Sequence, residues 1–232
     1  MKRYIKLDDG RIIDLGEHPE ITTQLLKASE ALGQGGSVML GEFQGHKVLR
    51  ESNFREELEN NDFQILAFTG HRPEDLPPEF GTDYSNKAWS TVKSLIQSKI
   101  KAFGTHVVVC GGARGLDTAA ALAVLDLKMR GAAISLHLEL PFKGQEALWP
   151  EQDQLLYQEI LRRADSVHYQ SDSYTTNYLY HLRNQAMVDQ AEALLALWNY
   201  KESGGTYYTV RYAVSKAKPI INIWDAVMKA IA

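Results

Sequence analysis

The sequence predicts an α/β protein, a mostly parallel β-sheet with helices on both faces, preceded by a small N-terminal α+β module. Three observations predict it. From Gln64 onward, short apolar runs alternate with longer segments of helical periodicity, the pattern of strand–helix–strand units whose strands are covered on both sides. Glycine and polar clusters fall at the ends of the apolar runs, where such sheets bind ligands. Residues 1–60 follow a different pattern, of short alternating runs around turn signals.

The first module, residues 1–60, opens with Tyr4-Ile5-Lys6-Leu7 and Arg11-Ile12-Ile13-Asp14-Leu15 flanking Asp8-Asp9-Gly10. This is a hairpin signal, because Gly accepts the positive φ that a tight turn requires. A helix is expected from about Pro19 to Leu32, with Ile21, Leu25, Ala28 and Leu32 at helical spacing and Gly33 as its stop. Val38-Met39-Leu40 and His46-Lys47-Val48-Leu49 read as a second strand pair, and the charged run from Arg50 to Asp62 as a linker or linking helix.

The second domain, residues 61–232, is expected to hold six strands: Ile65–Thr69, His106–Cys110, Ile134–Leu140, Ser166–Tyr169, Ala193–Trp198 and Pro219–Ile223. Helices are expected between and after them, at Tyr84–Phe103, Leu116–Arg130, Pro150–Arg163, Tyr178–Gln190, Thr206–Ala217 and Ala226–Ile231.

Composition narrows the function classes. The 232 residues, 44% of them hydrophobic, can build a core without staples. A single cysteine, Cys110, leaves no intramolecular disulfide and fits a reducing cytoplasm. No segment approaches the ~20 apolar residues of a membrane helix, so a cytoplasmic location and no membrane partner are expected. A net charge of −4 argues against a broad nucleic-acid-binding face, although a local basic patch is compatible with it. The seven histidines show no His-x-x-x-His spacing, so no metal site is expected, and no Gly-x-Ser-x-Gly elbow marks a nucleophile. No cofactor is expected either.

The candidate site residues lie in the strand-end loops. After the first strand, Gly70, His71 and Arg72 precede Pro73, and the His-Arg pair suits an anionic ligand or a solvated turn. After the second come Gly111, Gly112, Ala113, Arg114, Gly115 and Asp117, glycines that suit a backbone cradle and an Asp that suits ligand contact or a helix cap. This loop is neither a Walker A motif nor a Gly-x-Gly-x-x-Gly fingerprint. On the helix from Tyr178, Arg183 and Asn184 neighbour Met187, which can anchor the guanidinium while it projects toward a pocket. After the fifth strand, Ser203-Gly204-Gly205-Thr206 opens a helix. Unpaired N–H groups and the helix dipole there make an anion site; the plainer alternative is a tight turn with a Thr cap.

With these loops in view, the chain from about Phe63 to Ile223 resembles the YspA/YpsA-like branch of the SLOG superfamily. The superfamily also includes the LOG phosphoribohydrolases and the Rossmann-like domain of DprA. The resemblance rests on Thr69-Gly70-His71-Arg72-Pro73, Gly112-Ala113-Arg114-Gly115-Leu116-Asp117, Pro141-Phe142 with Trp149, Tyr180 with Arg183-Asn184 and Met187-Val188-Asp189, and Trp198 with Gly204-Gly205-Thr206. It implies a modified Rossmann-like fold whose pocket takes a nucleotide or nucleotide-derived ligand, with phosphate on Gly204-Gly205-Thr206 helped by Gly111-Gly112. Residues 1–60 lie outside it.

The LOG hydrolases pair the helix arginine with a glutamate three residues beyond the threonine of the glycine turn. Here Arg183 keeps the arginine, but Thr209 stands where the glutamate belongs. Glycosidic cleavage develops positive charge on the ribose, and loss of its stabilising carboxylate costs a few kcal/mol of barrier. Binding or sensing of a nucleotide or an ADP-ribose-like molecule is therefore the first expectation. A phosphoribohydrolase using Arg183 as catalytic residue with a relocated carboxylate, Glu202 or Asp117, is the second. DprA-like single-stranded DNA binding is the third, disfavoured by the acidic balance, and a homo-oligomer is a family-level expectation.

Overall fold

A computed structural model describes residues 62–232 throughout and, within residues 1–61, the backbone of four strands. The chain divides into two compact units, Met1–Asn61 and Asp62–Ala232. In the first unit the described strands are β1 (Tyr4–Leu7), β2 (Ile12–Asp14), β3 (Glu42–Phe43) and β4 (His46–Ser52), all antiparallel in the order β2-β1-β4-β3. β1 and β2 pair Tyr4 with Asp14 and Lys6 with Ile12, as expected for a hairpin around Asp8-Asp9-Gly10. Arg50, Glu51 and Ser52 extend β4 rather than starting a linker. The expected helix from Pro19 to Leu32 and the expected strand Val38–Leu40 lie outside the described residues.

The second unit is built on six parallel strands: β5 (Ile65–Gly70), β6 (Val107–Cys110), β7 (Ser135–Leu140), β8 (Ser166–Tyr169), β9 (Ala193–Leu197) and β10 (Ile220–Asn222). Their order is β10-β9-β5-β6-β7-β8. The interior strands are continuous apolar runs because helices cover both faces: Leu66, Ala67 and Phe68 of β5 are fully buried, and every residue of β9 is buried. The helices are α1 (Lys87–Ala102), α2 (Leu116–Met129), α3 (Glu151–Arg163), α4 (Tyr178–Gln190), α5 (Gly204–Ser215) and α6 (Trp224–Ile231).

The connections β5-α1-β6-α2-β7-α3-β8 step outward in one direction, so right-handed crossovers put α1, α2 and α3 on one face. α2 packs on α1 and α3, and α6 returns against α1. The Ala-rich run of α2 from Ala119 to Ala123 lets that helix sit nearly surrounded. After β8 the chain crosses back to β9, beside β5, which sends α4 and α5 to the other face, where they pack on each other.

β5 and β9 are neighbours whose outgoing connections leave in opposite directions. Such a switch point opens a crevice beyond the carboxyl ends of the two strands. One backbone bond closes its base, from His71 N–H to the Leu197 carbonyl at 3.4 Å.

Candidate functional site

A cleft of about 420 Å³ occupies this switch point. β5 and the residues after it contribute Gly70, His71, Arg72 and Asp75, the β6–α2 loop contributes Ala113, and the first turn of α2 contributes Asp117. α4 turns Asn177, Tyr180, His181, Arg183, Asn184 and Met187 toward it. The remaining wall is the β9–α5 turn, with Lys201 and the run Ser203 to Thr206.

That last turn is wired in place from below. The Asn222 side chain accepts the Trp198 N–H at 3.1 Å and donates to the Trp198 carbonyl at 2.8 Å. The Trp198 indole N–H donates to the Lys201 carbonyl at 2.9 Å, and the Lys201 N–H donates to Asn199 Oδ1 at 3.1 Å. The turn then enters α5 through an extended Ser203 and a Gly204 with φ +85°, a backbone conformation that disfavours residues with a Cβ. Ser203 makes no side-chain capping bond, so the first-turn N–H groups are left to solvent or ligand. A Cβ built at Gly204 or Gly205 meets nothing within 4 Å. α5 therefore starts at Gly204 rather than at Thr206, which puts both glycines inside its first turn.

The floor is a buried ion pair. Arg183, 7% exposed, donates from Nη1 to Asp117 Oδ2 at 3.2 Å, and the same oxygen accepts the Ala113 N–H at 3.1 Å. Burial pushes the Asp117 carboxyl up against the pull of Arg183 and of the Ala113 and Gly111 N–H groups. The Nε of Arg183 is buried and has no hydrogen-bond partner among the described residues. Such orphans are rare and costly in native proteins. His71 is also buried; its Nε2 accepts the Asn199 N–H at 3.2 Å, which leaves the proton on Nδ1. Desolvation lowers its pKa and keeps the ring neutral. Arg72 and Lys201 are exposed on the cleft wall and add positive charge there.

Of the residues expected from sequence, Gly70, His71, Arg72, Asp117, Arg183, Asn184, Ser203, Gly204, Gly205 and Thr206 come together around this one cleft. Gly111, Gly112 and Arg114 do not line it. Gly111 lies against the Arg183 guanidinium: a Cβ there would stand 1.4 Å from Nη1. Gly112 faces Leu140, Gln145 and Tyr157. Arg114 turns away to an ion pair between Nε and Asp153 Oδ2 at 2.6 Å and a second with Glu74. Thr209, fully buried, donates to the Gly205 carbonyl at 2.8 Å and does not line the cleft. Glu202 is exposed and outside the lining, so Asp75 and Asp117 are the carboxylates of the wall.

Sequence reasoning missed Asp75, Asn177, His181 and Lys201 as cleft residues. No local signal marks His181: it stands two residues before Arg183 on the same helix, a spacing that does not put the two side chains on one face.

Residues 66–225 match the family model described as the YspA SLOG family. The chain belongs to this family. Among similar proteins, a UPF0398 protein of Bacillus thuringiensis (strain Al Hakam) is 28% identical over 159 residues, covering 67% of this chain and 85% of the relative. A UPF0398 protein of Bacillus anthracis (strain A0248) is 27% identical over the same span. Among solved structures, DNA processing protein A from Streptococcus pneumoniae is similar with a TM-score of 0.48 at 17% identity. That similarity covers 75% of this chain and 56% of the other, so the chain spans about half of that protein's length. DNA processing protein A from Helicobacter pylori, described with a single-stranded DNA binding mode, gives a TM-score of 0.47 at 20% identity, covering 71% and 66%. Among the described residues, no helix of this SLOG chain is long and apolar enough to cross a membrane.

Proposed function

We propose that this protein binds a nucleotide or a nucleotide derivative of the ADP-ribose kind, with a phosphate seated on the first turn of α5 at Ser203-Gly204-Gly205-Thr206. One observation carries the reading: an uncapped helix N-terminus with open space at both glycines shares a cleft with a nine-tenths-buried arginine whose Nε has no partner among the described residues. The amides supply directed donors and the helix dipole favours an anion. Arg72 and Lys201 add charge at the same wall, and a cleft of about 420 Å³ falls in the size range of small-ligand sites. Membership of the SLOG family agrees with a nucleotide-type ligand.

Titration calorimetry of the full chain with adenosine 5′-monophosphate and ADP-ribose tests the reading. Gly205→Asp sets a carboxylate where the phosphate belongs, and is expected to weaken binding at least a hundredfold while leaving the thermal midpoint within a few degrees. Unchanged affinity in the folded variant would remove the cradle.

Asp117 favours a second reading, hydrolysis of the N-glycosidic bond. It is a cleft carboxylate beside Arg183 and so a relocated counterpart of the glutamate replaced by Thr209. Its oxygen is engaged by Arg183 and Ala113, however, which orients the arginine rather than freeing a charge for the ribose. Incubation with nucleoside monophosphates and NAD is expected to release no free base; release abolished by Arg183→Ala would establish the hydrolase. Single-stranded DNA binding ranks below both readings, because the cleft is the size of one nucleotide and the chain is acidic.

A further inference from the structure

His181 carries an inference beyond the backbone cradle. It lies in the first turn of α4 and lines the cleft, yet neither the loop motifs nor the family resemblance involves it. Its ring packs against Tyr208 of α5, with centroids 4.1 Å apart and planes inclined at 60°. Tyr208 is itself held, its hydroxyl accepting Gln185 Nε2 at 2.6 Å. Tyr178 flanks the imidazole at 6.1 Å. The ring is therefore fixed by packing between two helices, with no hydrogen bond holding it among the described residues.

Its Nδ1 is buried and has no hydrogen-bond partner among the described residues. An orphaned N–H is rarer and costlier in native proteins than an under-used lone pair, so the stable arrangement leaves Nδ1 unprotonated and carries the proton on Nε2. Nε2 is not among the buried unpartnered atoms, and His181 lines the cleft. Tyr208 lies one helical turn beyond Gly204, so the imidazole stands beside the turn whose amides face the cleft.

We infer that His181 is the side-chain member of the phosphate cradle, an Nε2–H donor to an oxygen of a phosphomonoester. This rests on the phosphate position proposed at Ser203–Thr206. The chemistry differs from that of Arg72 and Lys201: the amides and the imidazole give directed hydrogen bonds, whereas the exposed cations give diffuse charge. The donor serves a nucleoside monophosphate and a sugar phosphate alike.

The test uses the full chain, with inorganic phosphate, adenosine 5′-monophosphate and adenosine as probes in parallel titrations. His181→Phe keeps a ring against Tyr208 and removes the N–H; it is expected to weaken phosphate and adenosine 5′-monophosphate about tenfold and to leave adenosine unchanged. His181→Gln returns a donor and is expected to recover most of the loss. A second measurement, ring ¹⁵N chemical shifts of His181 in the ligand-free protein, is expected to show the proton on Nε2 and none on Nδ1. Wild-type affinity for both phosphate probes in His181→Phe overturns the inference, as does an equal loss on adenosine, which assigns the residue to the nucleoside. An imidazolium or an Nδ1-protonated ring overturns it independently. If Gly205→Asp abolishes binding while His181→Phe does not, only the histidine assignment falls; if wild-type protein binds neither phosphate probe, both fall.

Discussion

Two glycine-rich strand ends look alike in sequence and serve opposite purposes. In the β6–α2 loop, glycine makes room for the protein itself. A Cβ at Gly111 would meet Arg183 at 1.4 Å, one at Gly112 Leu140 at 2.7 Å, and one at Gly115 the His71 carbonyl oxygen at 2.2 Å. In the β9–α5 turn, Gly204 and Gly205 have nothing within 4 Å. The first loop is a socket filled by Arg183, a neighbouring backbone and packed side chains, and it fixes the floor of the cleft. The second leaves its space to a ligand. A glycine count cannot tell the two apart, because what fills the space comes from residues far away in the chain.

The contrast fails most visibly if the socket tolerates side chains. Gly115→Ala places a Cβ against backbone at a φ of +91°, and neither can move independently of β5. A loss of about 3 kcal/mol or more is expected in denaturant unfolding. An effect under about 1 kcal/mol would mean that the loop rearranges and is no socket.

Next in size is Arg183→Ala, which strands the buried Asp117 carboxylate and is expected to cost about 3 kcal/mol near neutral pH. The sign of its pH dependence is fixed by the direction of the Asp117 shift. Burial raises that pKa in the folded protein, and removing the guanidinium raises it further. The folded state then holds the proton more tightly than the unfolded chain, so the deficit shrinks as pH falls toward the unfolded carboxyl value of about 4. Unfolding midpoints at pH 5 and pH 7.5 check this; a deficit that grows in acid would show that Asp117 is not the stranded group.

The smallest expected effect sharpens the other side. Gly205→Ala has open space and is expected to stay within about 0.5 kcal/mol of wild-type stability, with nucleotide affinity lowered only if a ligand approaches that backbone. A stability loss matching that of Gly115→Ala would erase the distinction between the two loops.

Much of the domain was legible because its interior parallel strands are buried on both faces and read as apolar runs. β8 and α4 match the expected spans, and β5 and β9 match within a residue. The misses sit where long-range partners intervene. α1 begins at Lys87 rather than Tyr84, because Asn86 caps it and the buried Tyr84 hydroxyl instead accepts the Gly115 N–H at 2.6 Å. Arg114 read as a site residue from its glycine neighbours, but Glu74 and Asp153, distant in sequence, hold it. His181 went unnoticed because a lone histidine on a helix gives no signal until its Tyr208 contact and its unpaired Nδ1 are seen.

By itself the sequence determined the α/β class, the strand-end positions of the loops and the Thr209 substitution, since these follow from local periodicity, turn chemistry and residue identity. Only the tertiary structure decided which glycines are occupied, that Arg114 turns away from the cleft and that His181 joins it. Those outcomes depend on the switch point between β5 and β9 and on contacts between residues more than 60 positions apart, such as Arg183 with Asp117.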